Sequence, residues 1–332
     1  MTKINFNKIK DIEQEQKYEY KQQTLNTNNL DPVHTSIRSV LRVIKSQTTS
    51  DGEGVKLNRS FPNNIISDFD PFLLLDEIGP TDMKPGNQKG FPDHPHRGFE
   101  TVTYLLEGKF EHRDSQGHSG IISGGDVQWM TAGSGVIHSE MPEKEFSKKG
   151  GKLHGFQLWV NLPQKNKMMK PRYQEISKTK IPIASTKDGN VSVKVIAGES
   201  LGAKAVVDTI TPIIYLHFKL EPGSSIVQSV PGNYNVFAYI IRGSAEFEQS
   251  DNSNSNSNSS DSTVGNGNLV IFDKDGNEVY IQNSKTSKTP LELLLIGGIP
   301  LNEQIARYGP FVMNTQQEIY QAVEDYRNGK LG

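Results

Sequence analysis

The chain has 332 residues, enough for two domains, with 34% hydrophobic residues and a formal net charge of -2. Acids and bases nearly balance, so no electrostatic footprint for nucleic acid and no run of like charge for a membrane surface is expected. Cysteine is absent, which excludes disulfides, zinc ribbons, iron–sulfur clusters and thiol nucleophiles and leaves any metal to nitrogen and oxygen ligands.

The opening MTKINFNKIKDIEQEQ lacks the apolar stretch of a secretory signal, and no apolar run approaches the roughly 18 residues of a membrane span, so a soluble intracellular protein is expected. Residues 1–35 are rich in Asn, Gln, Lys and Glu and read as a disordered extension. The chain then becomes β-like. TVTYLL (101–106), GKLHGFQLWVNLP (151–163), VSVKVIAG (191–198) and IIYLHFKL (213–220) are rich in β-branched and aromatic residues, between Gly, Pro, Asn and Asp. This spacing predicts an all-β sandwich or barrel. The Ser/Asn-rich tract 251–268 reads as a flexible loop. NTQQEIYQAVEDYRNG (314–329) reads as a helix capped by Asn314, with Ile319, Ala322, Val323 and Tyr326 on one face and Gly329 at its end.

An internal repeat sets the domain plan. TYLLEG (103–108) and AYIIRG (238–243) share one shape, 135 residues apart, and GGDVQWM (124–130) resembles GNLVIF (267–272). Two copies of one β-barrel are expected, over 36–175 and 176–332.

The chemistry is concentrated in FPDHPHRGFETVTYLLEG (91–108) and GDVQWMTAGSGVIHSEMP (125–142). Residues two apart on a strand share a face, so His94 and His96 project together, as do His138 and Glu140. Three imidazoles with a carboxylate and no thiolate suit Fe(II), Mn(II), Ni(II), Cu(II) or Zn(II), and four protein ligands leave positions open for substrate or dioxygen. The spacing equally permits Glu100 as the carboxylate. A lone His pair on a strand is more often packed or solvated than ligating; the second pair changes that balance. His154 is a candidate neighbour of the site. His112 and His118 read as solvated, His34 lies in the extension, and His217 reads as a core or surface residue of the second copy. Phe99, Trp129, Met130 and Met141 are candidates for an apolar pocket above the ion, or simply for barrel core. Adding the repeat offset to 94, 96 and 100 gives Ser229, Pro231 and Asn235, so the second barrel is expected to carry no metal.

The spacing H-x-H-x3-E-x7-G from His94 to Gly108 resembles the first cupin motif. HPHRGFETVTYLLEG, GDVQWMTAGSGVIHSEMP, HGFQLWVNLP (154–163) and GPFVMNT (309–315) resemble the pirin family of bicupins, over about residues 36–329. The resemblance implies two tandem cupin barrels of the double-stranded β-helix, jelly-roll type with a short C-terminal helix. It implies one iron ion, Fe(II) or Fe(III), held by His94, His96, His138 and Glu140, with Glu100 behind the ligands, orienting a His ring. Pirin relatives resemble quercetin 2,3-dioxygenases, which implies a flavonol-like aromatic substrate, dioxygen, and a carboxylate near the metal as the catalytic base, Glu140 or alternatively Glu100. Eukaryotic pirins look like iron-dependent transcription co-regulators, which implies the alternative of a transcription-factor partner and a nuclear as well as cytoplasmic location, without direct DNA binding. A monomer is expected, because two barrels can bury a face against each other.

Overall fold

The computed structural model describes residues 36–249 and 263–331. The expected extension 1–35, with His34, and residues 251–262 of the Ser/Asn tract lie outside the described residues. The remainder of that tract is partly ordered as strand, since Thr263–Gly265 pairs with Ser244–Glu246. The expected β runs are strands: Phe99–Glu107, Gly151–Asn161, Val191–Ala197 and Ile213–Leu220.

The strands form two seven-stranded sheets, each backed by a four-stranded sheet. In the first half, Phe91–His96, Val136–Pro142, Lys109–Asp114 and Ser119–Ser123 back the sheet centred on Phe99–Glu107, Gly151–Asn161 and Phe72–Met83. In the second half, Ser225–Ser229, Glu278–Asn283, Ser244–Glu246 and Thr263–Gly265 back the sheet centred on Asn235–Arg242, Leu291–Gly298 and Ile213–Leu220. The architecture is the expected all-β pair of barrels. The strand Val40–Lys45, first in sequence, pairs with Asn268–Phe272 in the sheet of the second half. The C-terminal helix spans Gln316–Arg327, and its N-cap is Thr315 rather than Asn314. Thr315 and Glu318 form a reciprocal capping box, whereas the Asn314 amide donates to Gln304 O at 2.9 Å.

Alternation assigns each strand residue of the large sheets to one of two buried faces. Along Ile213–Leu220, Leu216 and Phe218 fill the second barrel with Ile240, Leu293 and Val279, while Tyr215 turns the other way. It joins a core shared between the halves, where Val102, Tyr104, Trp129 and Phe156 meet Phe237, Tyr239, Leu269 and Leu294. The two seven-stranded sheets therefore stack through their outer faces.

The duplication is visible residue by residue in that stack. Tyr104 lies opposite Phe156, Phe156 opposite Glu77, and Glu77 opposite Asn58. In the second sheet Tyr239 lies opposite Leu294, Leu294 opposite His217, and His217 opposite Lys194. Each tyrosine then crosses the interface to its partner row. Tyr239 Oη donates to Glu77 Oε2 at 2.8 Å, and Tyr104 Oη lies 2.8 Å from His217 Nδ1. Burial lowers the His217 pKa, so its imidazole is neutral and Nδ1 accepts the tyrosine proton. A buried hydroxyl bonded to a carboxylate contributes more than one bonded to a neutral ring. Tyr239→Phe is accordingly expected to cost about 2 kcal/mol in denaturant unfolding and Tyr104→Phe about 1 kcal/mol. Equal losses would show that the two acceptors are equivalent.

Candidate metal centre

The first barrel brings His94, His96 and His138 together. The strands Phe91–His96 and Val136–Pro142 pair antiparallel, with His138 directly opposite His94 and Val136 opposite His96. One ring nitrogen from each of the three histidines lies within 4.8 Å of the others. The ring centres are 4.5 Å apart for His94 and His138, 4.7 Å for His94 and His96, and 5.0 Å for His96 and His138.

Their hydrogen bonding fits a cation. His94 Nδ1 lies 2.8 Å from Pro92 O, which orients the ring and leaves Nε2 as the available donor to an ion. His96 and His138 are buried, yet His96 Nδ1 and both nitrogens of His138 make no hydrogen bond. Buried imidazole nitrogens without partners are costly unless something else satisfies them. Burial, followed by repulsion from the neighbouring histidines, drives both pKa values well down, so the rings are neutral and their lone pairs are free to ligate. Three neutral imidazoles with a nearby carboxylate are an N/O donor set suited to a divalent transition metal.

Glu140 follows His138 by two residues on the same strand and lines the same pocket, but it stands outside the three-histidine cluster. Burial raises its pKa, opposed by the charge of His94 and by a hydrogen bond from Thr103. Thr103 Oγ1 is 2.8 Å from Glu140 Oε1 and 2.7 Å from Gln157 Oε1, and its single proton serves one of these two oxygens at a time.

Glu100 does not stand behind the ligands. It follows His96 by four positions, which in an unbroken strand would place both on one face. The strand breaks between them: Phe91–His96 ends, Arg97 and Gly98 turn, and Phe99–Glu107 begins with the opposite parity. Gly98 takes φ +91°, and a side chain there would strike Val312 O. Phe99 consequently packs on His96 at 5.2 Å, while Glu100 points out of the barrel and accepts from Thr131 Oγ1 at 2.6 Å.

The other readings divide similarly. His154 lies on the inter-barrel side, 2.9 Å from Glu77 Oε1. His118 is exposed. His112, expected to be solvated, is buried opposite Glu140, with Nε2 2.6 Å from Glu175 Oε1 and its ring stacked on Tyr173. Trp129 belongs to the inter-barrel core and Met130 packs with Ala132 and Val136. The cavity of about 530 Å³ beside the histidines is walled instead by Trp159, Gln157, Leu74, Arg59 and Arg307. Trp159 stacks on Phe99 at 4.4 Å and meets His96 edge-on at 5.2 Å. A signal for this wall exists in HGFQLWVN: Phe156, Leu158 and Val160 alternate with Gln157, Trp159 and Asn161, and an interior that takes polar residues is a lined pocket.

Burial raises the Glu100 pKa from its ordinary 4.5 to about 6. The folded protein thus holds this proton more tightly than the unfolded chain. Stability from the protonated form is complete below pH 4.5 and falls by about 2 kcal/mol as pH rises through 6. Glu100→Gln, neutral throughout, is expected to gain that amount over the wild type above pH 6, with the gap closing towards pH 4. A gap independent of pH would show that Glu100 is not the titrating group.

Two family models match the chain, Pirin over residues 54–160 and the Pirin C-terminal cupin domain over residues 215–332. A pirin-like protein of Solanum lycopersicum is 46% identical over 89% of this chain and 93% of its own length. Pirin of Homo sapiens is 43% identical over 90% of this chain and 95% of its own. Among solved structures, a quercetin 2,3-dioxygenase of Acinetobacter baumannii is 34% identical, superimposes with a TM-score of 0.81, and covers 90% of this chain and 99% of that one. A paired-barrel fold with three converging histidines in its first half, matched along nearly its whole length by these relatives, establishes that the chain belongs to the pirin family.

Proposed function

We propose that His94, His96, His138 and Glu140 hold one divalent metal ion, physiologically iron, and that the protein is a quercetin 2,3-dioxygenase-type oxygenase acting on a flavonol-like aromatic. The observation that carries the reading is the cluster of three histidine nitrogens within 4.8 Å, two rings of which have buried, unpartnered nitrogens, opening on an aromatic-walled cavity. The similarity to the Acinetobacter baumannii quercetin 2,3-dioxygenase supports the choice of substrate. A bound ion supplies Lewis acidity towards a substrate hydroxyl and a redox centre for dioxygen.

The protein's own groups do the rest. Trp159 and Leu74 offer an apolar wall against which a flat substrate is oriented and water excluded. Glu140 accepts the hydroxyl proton at Oε2, the oxygen not held by Thr103. Thr103 and Gln157 keep the carboxylate aimed while its protonation state changes.

Protein loaded anaerobically with Fe(II) is expected to bleach quercetin on admission of oxygen. His96→Ala and Glu140→Gln are each expected to lower metal affinity by at least roughly 10–100-fold, read by metal analysis after dialysis, while Glu100→Gln retains its metal. Metal loss from Glu100→Gln together with retention in Glu140→Gln would overturn the ligand set. Absence of bleaching with a fully loaded site would overturn the oxygenase reading.

A further inference from the structure

Among the described residues, the pocket wall holds a cation, Arg307, without an ion-pair partner. Arg307 lies on the short strand Ala306–Tyr308, beyond both barrels in sequence. Its guanidinium sits 5.0 Å from the centre of the Trp159 ring. Nη1 donates to Leu73 O at 3.0 Å, and Nε reaches Gly309 O only at 3.5 Å. Among the described residues Nη2 donates to no protein atom, and the residue lines the same cavity as His94, His96 and Glu140.

The acidic groups around it are engaged or remote. Asp76 accepts from Arg59 Nε at 2.8 Å and from Nη2 at 2.7 Å, and Asp51 accepts from Arg59 at 3.1 Å. Asp68 accepts from Ser67 Oγ at 2.8 Å, and Asp93 is exposed. Asp68 and Asp76 attract Arg307 from beyond ion-pair distance, while burial and the nearby Arg59 both disfavour its charge. A half-buried guanidinium with a free N–H edge gains a charge-assisted bond when an oxyanion meets it.

Trp159 links this edge to the metal centre. Phe99 stacks against the indole, His96 meets it at 5.2 Å and Arg307 at 5.0 Å. His96 and the guanidinium thus both lie within about 5 Å of the indole centre, a reach that a small aromatic ligand lying against the tryptophan can bridge. We propose that Arg307 is a specificity-determining residue that receives an oxyanion substituent, a carboxylate or a ring phenolate, of a planar aromatic substrate whose other end reaches the metal centre. This rests on the cavity beside the histidines being the substrate site.

The test uses the full chain, loaded anaerobically with Fe(II), and two probes of equal shape: 3,4-dihydroxybenzoate and its uncharged amide. Binding is read by calorimetry and by quenching of tryptophan fluorescence, with Trp159→Phe identifying the local signal against Trp129. The acid is expected to bind at least tenfold more tightly than the amide. Arg307→Leu is expected to bring the ratio near one with metal content unchanged, and Arg307→Lys to keep most of the preference. A merely structural arginine would weaken both probes alike. Equal binding of acid and amide by the wild type, a preference that survives Arg307→Leu, or no binding of either probe would each overturn the proposal. Anion preference without quercetin bleaching would mean that the oxygenase reading fails alone; bleaching without anion preference would mean that the role of Arg307 fails alone.

Discussion

The structure depends on burying both faces of two seven-stranded sheets. A strand that shows one face to solvent can slip or turn a residue outward at modest cost. These strands cannot, because the inner face packs a barrel and the outer face packs the other barrel. Register is therefore fixed twice over. That rigidity is what allows His94 and His138 to sit directly opposite each other on the smaller backing sheet, and Trp159, Gln157 and Thr103 to face them from the larger one.

The shared face also shows how duplicated halves became unequal. At equivalent positions of the two sheets, Glu77 corresponds to His217, Asn58 to Lys194, and Glu107 to Arg242, as the paired rows through Tyr104 and Tyr239 require. One copy carries the acidic or neutral member and the other the basic one. Polar groups in an otherwise apolar interface cost stability unless paired; across the stack Glu77 meets Tyr239 and His217 meets Tyr104, while their ionic partners, His154 and Glu292, lie in their own halves.

The candidate metal centre extends beyond the barrel that carries its three histidines. The segment after the second barrel returns to the first. Arg97 bonds to Pro310 and Val312 through its backbone and to Asp325 of the C-terminal helix at 2.8 Å. Lys167, wholly buried, ties Gly98 O to Val312 O and Asn161. Leu331 packs where Gly135 has no side chain. The turn after His96 and the turn before His138 are thereby both braced by the last quarter of the chain. Arg307 reaches the cavity wall from that same segment and donates to Leu73 O at 3.0 Å.

Much of this was legible without coordinates. Alternating β runs and the repeat of TYLLEG in AYIIRG determined a tandem all-β architecture, and the absence of cysteine with His-x-His and His-x-Glu determined the type and grouping of the candidate donors, of which the three histidines cluster. These are local properties: strand period, residue chemistry and short spacing. What the sequence could not decide was anything that depends on parity across a break or on contact between distant segments. Glu100 left the site because two residues, Arg97 and Gly98, interrupt the strand and reverse which face the next residue takes. His112 became buried because the strand of Glu140 lies beside it, and the helix cap moved to Thr315 because Asn314 is held by the preceding loop. Arg59, Trp159 and Arg307 converge from positions up to 248 residues apart, and only the tertiary structure, which folds the end of the chain back over its beginning, makes them one wall.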